Sequence, residues 1–142
     1  MALEKVYTIW DFYDGPRSGI AAYCGKPHYY CCEWDDALDD YSTTYSLLPL
    51  DDQTFQLALE QWSIWQEWET NFHAGKVVED SHPGFGGKNA RYDEIEKLIK
   101  ARLTCITAPP LFAIPNFRVA ADSISSQPGV IRQQMVEWTN VI

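Results

Sequence analysis

The chain has 142 residues, 46% of them apolar and 22% charged, with a formal net charge of -9. That length supports a hydrophobic core without disulfides or a structural metal, and the composition excludes an unfolded tail or a fibrous repeat. The acidic balance argues against direct binding to a nucleic-acid backbone or to an anionic membrane surface.

Residues 4–12, EKVYTIWDF, are rich in aromatic and β-branched side chains and predict a first strand. Asp14-Gly15-Pro16 marks a tight turn, completed by Arg17-Ser18-Gly19. Short strands are expected over 19–24, 28–34 and 41–48, separated by Gly25-Lys26-Pro27 and by the acidic connection 35–40. Every connection is too short for a parallel crossover, so these strands predict an antiparallel meander over residues 1–50.

A long helix follows, expected over 52–74, with three of the six tryptophans within seven residues. At about 100° per residue, Gln56, Glu60, Gln66, Glu67, Thr70 and Asn71 form a polar arc opposite Leu57, Ala58, Trp62, Ile64, Trp65, Trp68 and Phe72. The apolar arc is wider than one supporting surface requires, so the helix is expected to be gripped by the sheet and by a second element. Asp51 or Asp52 suits its N-terminus and Gly75-Lys76 its stop. Residues 77–89 form a loop whose glycines lack the lysine and hydroxyl of a phosphate loop.

A second helix is expected over 90–103, with acidic residues early and basic residues late. Beyond it, Pro109, Pro110 and Pro115 break the chain into short edge strands, LFAI and FRVA. Residues 123–129 are turn-rich, and the C-terminal stretch has two readings: Ile131, Met135 and Trp138 share a helical face, while MVEWTNVI equally fits a strand docking on the sheet edge; a short helix after Pro128 is the preferred one. The expected fold class is α+β. A four-stranded antiparallel N-terminal meander packs on a central tryptophan-rich helix, with a second helix and a short mixed C-terminal segment, in one domain over 1–142.

No stretch approaches the roughly 20 apolar residues of a membrane span, and the N-terminus lacks a basic leader with an apolar run. Cys24, Cys31, Cys32 and Cys105 form no CxxC pair and read as reduced thiols. A cytoplasmic location is the expectation. No cofactor and no metal is called for.

Two regions carry candidate chemistry. Asp11, Asp14 and Arg17 surround the first turn, and His28 opens a strand that returns toward it. The carboxylates suit acid/base work, but Asp-Gly is also among the strongest turn dipeptides. Between Glu33 and Asp52 lie seven acidic residues and no basic one. Within that run Trp34, Asp35, Asp36, Asp39, Asp40 and Tyr41 combine charge with aromatic surface, the pattern of a site for a basic protein.

In size and charge alone the chain resembles toxin-neutralising immunity proteins, which implies an inhibitor of a basic partner. The expected function is therefore a non-catalytic acidic protein-binding module of immunity type. The alternatives are a small enzyme or ligand-binding protein using the 11–19 loop with His28, and a homo-oligomer sharing the wide apolar helix face.

Overall fold

The computed structural model describes residues 2–119 and 134–141. In chain order the strands are β1 (Glu4–Phe12), β2 (Pro16–Tyr23), β3 (Lys26–Cys31), β4 (Trp34–Asp35), β5 (Asp40–Tyr41) and β6 (Tyr45–Pro49). Helices α1 (Asp52–His73) and α2 (Ala90–Thr104) follow, then β7 (Leu111–Val119) and β8 (Gln134–Asn140). The described chain divides into two compact units, one of residues 2–51, 107–119 and 134–141, the other of residues 52–106.

In the first unit β1-β2-β3-β6-β7-β8 pair in that order and close into an antiparallel barrel, while β4 and β5 form a separate two-stranded hairpin. The expected open meander is corrected here. Strands near the four expected ones pair in sequence, but those expected over 28–34 and 41–48 run instead over Lys26–Cys31 and Tyr45–Pro49, with Trp34 and Tyr41 in the separate hairpin. β7 pairs with β6 through Tyr45↔Ala113, and β8 returns to β1 through Glu4↔Val136 and Lys5↔Met135. An open sheet would leave two unpaired edges and an apolar face requiring a helix; closure removes both needs.

The expected C-terminal helix is also overturned, since Gln134–Asn140 is a strand. Val136 and Trp138, two residues apart, are both buried, so period two prevails over the helical spacing of Met135 and Trp138. The turn-rich stretch 123–129 and the residues just after Pro128 lie outside the described residues. β7 runs unbroken through Pro115 instead of forming two short strands. Pro115 lies past the last residue paired with β6 and faces only Trp138 of β8, where a missing N–H is tolerated.

The barrel is filled from its own strands. Tyr30, Tyr45, Phe117 and Trp138 come from four different strands, and each ring lies 5.8–6.4 Å from the other three. Burying a large ring contributes on the order of 4 kcal/mol, against roughly 1 kcal/mol net for a hydrogen bond. Burial thus supplies the stability and the polar ends fix the placement. Tyr30 Oη donates to the Thr8 carbonyl at 3.0 Å, Tyr45 Oη to the Pro16 carbonyl at 2.9 Å, and Trp138 Nε1 to the Ala22 carbonyl at 2.9 Å.

Two local devices hold the N-terminal strands in this arrangement. The β2–β3 turn places Cys24 and Gly25 at φ 52° and 78°, the left-handed pair that suits a two-residue hairpin. Their amides donate to the Glu4 carboxylate at 3.0 and 2.6 Å. Between β1 and β2 the register shifts after Val6, and the Ile20 amide donates to Thr8 Oγ1 at 3.0 Å.

In the second unit α1 packs on α2 and on the short 3-10 turn Pro83–Phe85. Gln61 Nε2 donates to Glu96 Oε2 at 2.6 Å, and Arg91 grips the Glu60 carboxylate through Nε at 2.6 Å and Nη2 at 2.8 Å. Gly75, at φ 76°, ends α1: its amide donates to Phe72, and Lys76 N donates to Asn71, the paired bonds of a left-handed cap. Asn89 caps α2 by accepting from Tyr92 N at 2.9 Å. Ala58 and Gln61 are buried on α1, while Trp62, Trp65 and Trp68 are only half-buried. Trp65 and Trp68 bond instead to His82 and Ser81 in the segment after the helix. Among the described residues no helix is long and apolar enough to cross a membrane.

Gly19 is the position least able to accept a side chain. A Cβ there would meet the Thr8 carbonyl oxygen at 2.2 Å and Tyr30 Oη at 2.9 Å. Gly19→Ala is expected to destabilise the barrel by roughly 3 kcal/mol through overpacking against backbone, measured by urea unfolding. Gly15→Ala, with nothing within 4 Å of its Cβ, separates strain at a positive φ from collision.

Candidate functional site: an acidic hairpin anchored on the barrel

The hairpin lies between β3 and β6. Trp34 pairs with Tyr41 and Asp35 with Asp40, and Ser42 N donates to the Glu33 carbonyl at 2.9 Å below them. Leu38 N bonds back to the Asp35 carbonyl, Asp35 Oδ1 accepts from Ala37 N at 3.0 Å, and Asp39 turns the chain at φ 51°. Asp40 Oδ1 accepts from Tyr41 N at 2.7 Å. Asp and Asn tolerate such left-handed turns because a short polar side chain can bond locally. The acidic composition of the segment is thus partly its turn chemistry.

Arg17 holds the base. Its guanidinium lies 4.2 Å from the centre of the Tyr41 ring. Nε donates to the Tyr13 carbonyl at 2.7 Å, Nη1 to Tyr45 Oη at 3.1 Å, and Nη2 to the Asp14 carbonyl at 3.4 Å. Burial acts to lower the Arg17 pKa, but Tyr45 and Cys32 raise it by more, so the net direction is upward. Burial, with Cys32 beside it, pushes the Tyr45 hydroxyl up to about 12, and Arg17 only partly opposes this. Cys32 ties the hairpin down further, its amide donating to the Arg17 carbonyl at 2.8 Å and its thiol to the Ser42 carbonyl at 3.2 Å.

The surface above this base is aromatic and acidic. The Tyr41 ring meets Trp34 edge-on at 5.3 Å and Tyr13 at 5.9 Å. Trp34 is 52% exposed, Leu38 61% and Tyr13 68%. None of Asp35, Asp36, Asp39 and Asp40 enters an ion pair among the described residues. The structure therefore brings the six residues of the acidic candidate set, Trp34, Asp35, Asp36, Asp39, Asp40 and Tyr41, onto one hairpin.

The other candidate set is brought together only in part, around Arg17. Asp11 accepts from Ser18 Oγ at 2.8 Å, and Asp14 occupies the β1–β2 turn at φ 54°. Two depressions flank Arg17: one of about 230 Å³ contains Asp11, Tyr29 and Cys31, and one of about 530 Å³ contains Asp14, Asp40, Thr43 and Tyr45. Asp11 and Asp14 lie in different ones and His28 in neither. His28 is buried, with Nδ1 2.8 Å from the Lys26 carbonyl and its ring edge-on to Tyr23. Burial pushes the Cys31 thiol pKa up, with Tyr29 only partly opposing it, so this sulfur is held away from the nucleophilic thiolate. No group of three metal-binding side chains occurs among the described residues.

Arg17 stands beside the first turn and meets Asp14 through its carbonyl, not its carboxylate. Its companions are Tyr41 and Tyr45, 24 and 28 residues away, with Tyr13 adding exposed ring surface. The only local signal was an arginine beside a turn in an otherwise acidic chain.

Arg17→Met removes the cation under Tyr41 and the donors to three carbonyl or hydroxyl oxygens. It is expected to cost about 2 kcal/mol and to speed hydrogen exchange at Ser42 N and Cys32 N while the Tyr29 and Tyr30 amides stay protected. Arg17→Lys should not restore protection, because an ammonium lacks the planar fork that reaches divergent acceptors. Unchanged exchange in the hairpin of Arg17→Met would show that Arg17 does not anchor it.

Compared with protein-family models, with curated proteins and with solved structures, the chain finds no match in any of the three, and the reading of the site rests on its own geometry.

Proposed function

We propose that the chain is a non-catalytic acidic protein-binding module that takes a basic protein partner on the β4–β5 hairpin, in the manner of an immunity-type inhibitor. The observation that carries this reading is the hairpin itself: four aspartates outside any ion pair among the described residues, beside exposed Trp34 and Leu38, on a base fixed by Arg17 and Tyr41. Unpaired rim carboxylates steer a cationic surface during encounter, and a half-exposed indole supplies apolar area once water leaves. The arginine beneath has its charge directed at a ring and at neutral oxygens, so it leaves the aspartates available. Of the two depressions beside Arg17, neither holds Asp11, Asp14 and His28 together, which favours the binding reading over an enzyme built on the 11–19 loop.

The test uses affinity capture from native lysate followed by titration of the purified partner. A basic protein should bind the wild-type chain with a Kd that weakens at least tenfold between about 50 and 300 mM salt, as screened charge pairs require. Joint replacement of Asp35, Asp36, Asp39 and Asp40 by Asn should slow association and flatten that salt dependence. Trp34→Ala should raise the dissociation rate, with a loss of about 2 kcal/mol. A captured partner that binds the four-fold Asn variant as tightly as wild type, or whose Kd ignores salt, would overturn the assignment. Competition by DNA or RNA would mark that partner as a nucleic-acid-binding protein.

A further inference from the structure

His82 lies in the segment 76–88 between the helices, and its two ring nitrogens face two hydrogen-bond donors. Trp65 Nε1 lies 2.9 Å from His82 Nε2, and Gly84 N lies 2.9 Å from His82 Nδ1. An indole N–H and a backbone N–H only donate, so both bonds require a lone pair on the imidazole. A neutral imidazole offers one such nitrogen and keeps one bond; an imidazolium offers none and points N–H at N–H on both sides. The ring is also the hub of the local packing, with Trp68 at 4.5 Å, Phe85 at 5.5 Å and Trp65 at 6.1 Å.

The remainder of the segment is lightly held. Trp68 Nε1 donates to Ser81 Oγ at 2.8 Å, and Pro83 is buried, but Val78 and Phe85 are exposed. We propose that residues 76–88 form an acid-released strap, which His82 holds against Trp65 and Trp68 while neutral and which its protonation lets go, baring both indoles.

Burial lowers the His82 pKa below its ordinary value. The surrounding charged and titratable groups are Glu69 and His73 on α1, which pair with each other, Glu79 and Asp80 on the strap, and Asp93 on α2, which accepts from Gly87 N at 2.8 Å. Among the described residues the bonds to the His82 ring come from Trp65 Nε1 and Gly84 N, and not from the side chains of His73, Glu79, Asp80 or Asp93. With the strap shut the ring titrates below about 6.5, and with the strap open near 6.5. The strap is therefore fully stable above that pH, and its stability falls as pH drops from about 6.5 through the lower, shut-state pKa.

Hydrogen exchange of the full chain, corrected for the intrinsic pH dependence, tests this at residues 78–87. The opening constant should rise severalfold as pH falls from about 7.5 to about 5, with barrel amides unaffected. His82→Asn should abolish that dependence and His73→Asn should retain it. A pH-independent strap in the wild type, an unchanged response in His82→Asn, or loss of the response in His73→Asn would each overturn the proposal. Should His82→Asn fail to fold, imidazole NMR of the wild type decides: a His82 pKa below 6.5 supports the strap, and one at or above 6.5 refutes it.

Discussion

Four aromatic rings, Tyr30, Tyr45, Phe117 and Trp138, meet inside a barrel that only the C-terminal strands can close, and the first unit depends on that meeting. Two of the rings lie before residue 50 and two after residue 110. The N-terminal strands alone would have an apolar face and two bare edges, so folding of this unit waits on a contact between distant parts of the chain. Such non-local pairing carries loop-closure entropy, which buried aromatic area must outweigh. The polar ends of Tyr30, Tyr45 and Trp138 then select one register by donating to carbonyls on neighbouring strands.

The same packing reaches the surface through Tyr45. Its ring belongs to the aromatic core, while its hydroxyl donates to Pro16 and accepts from Arg17. Arg17 in turn underlies Tyr41, and Tyr41 meets Trp34 and Tyr13. A continuous line of contacts therefore runs from the barrel interior to an exposed, acidic hairpin of two short strands. A hairpin of that size is marginal by itself in water. Its order comes from the base on which it stands, and a preorganised loop loses less entropy on meeting a partner than a loose one.

Much of the local structure was legible in the residues. The α1 stop at Gly75 follows from a left-handed cap, and the turn at Asp14-Gly15 from residues that accept positive φ; the turn expected at Gly25-Lys26-Pro27 falls one residue earlier, at Cys24-Gly25, with Lys26 and Pro27 in β3. The acidic stretch with Trp34 and Tyr41 was visible as a composition shift. Periodicity left Gln134–Asn140 open and the preferred helix was the wrong choice: Met135 and Trp138 match a helix, Val136 and Trp138 match a strand, and burial of Val136 decides for the strand. α1 and its packing on α2 follow the expectation, while its tryptophan side is engaged by His82 and Ser81 of a segment that composition marks only as loop.

What the sequence determined by itself is the set of local elements and the sign of the charge, because caps, turns and alternation act over a few residues. Tertiary structure decided that the sheet closes, that Arg17 serves Tyr41 and Tyr45 instead of Asp11, and that His28 is kept apart from Asp11 and Asp14. Those outcomes depend on which distant strands become neighbours. That choice is made by the summed burial of Tyr30, Tyr45, Phe117 and Trp138, and no window short enough to read as a motif contains all four.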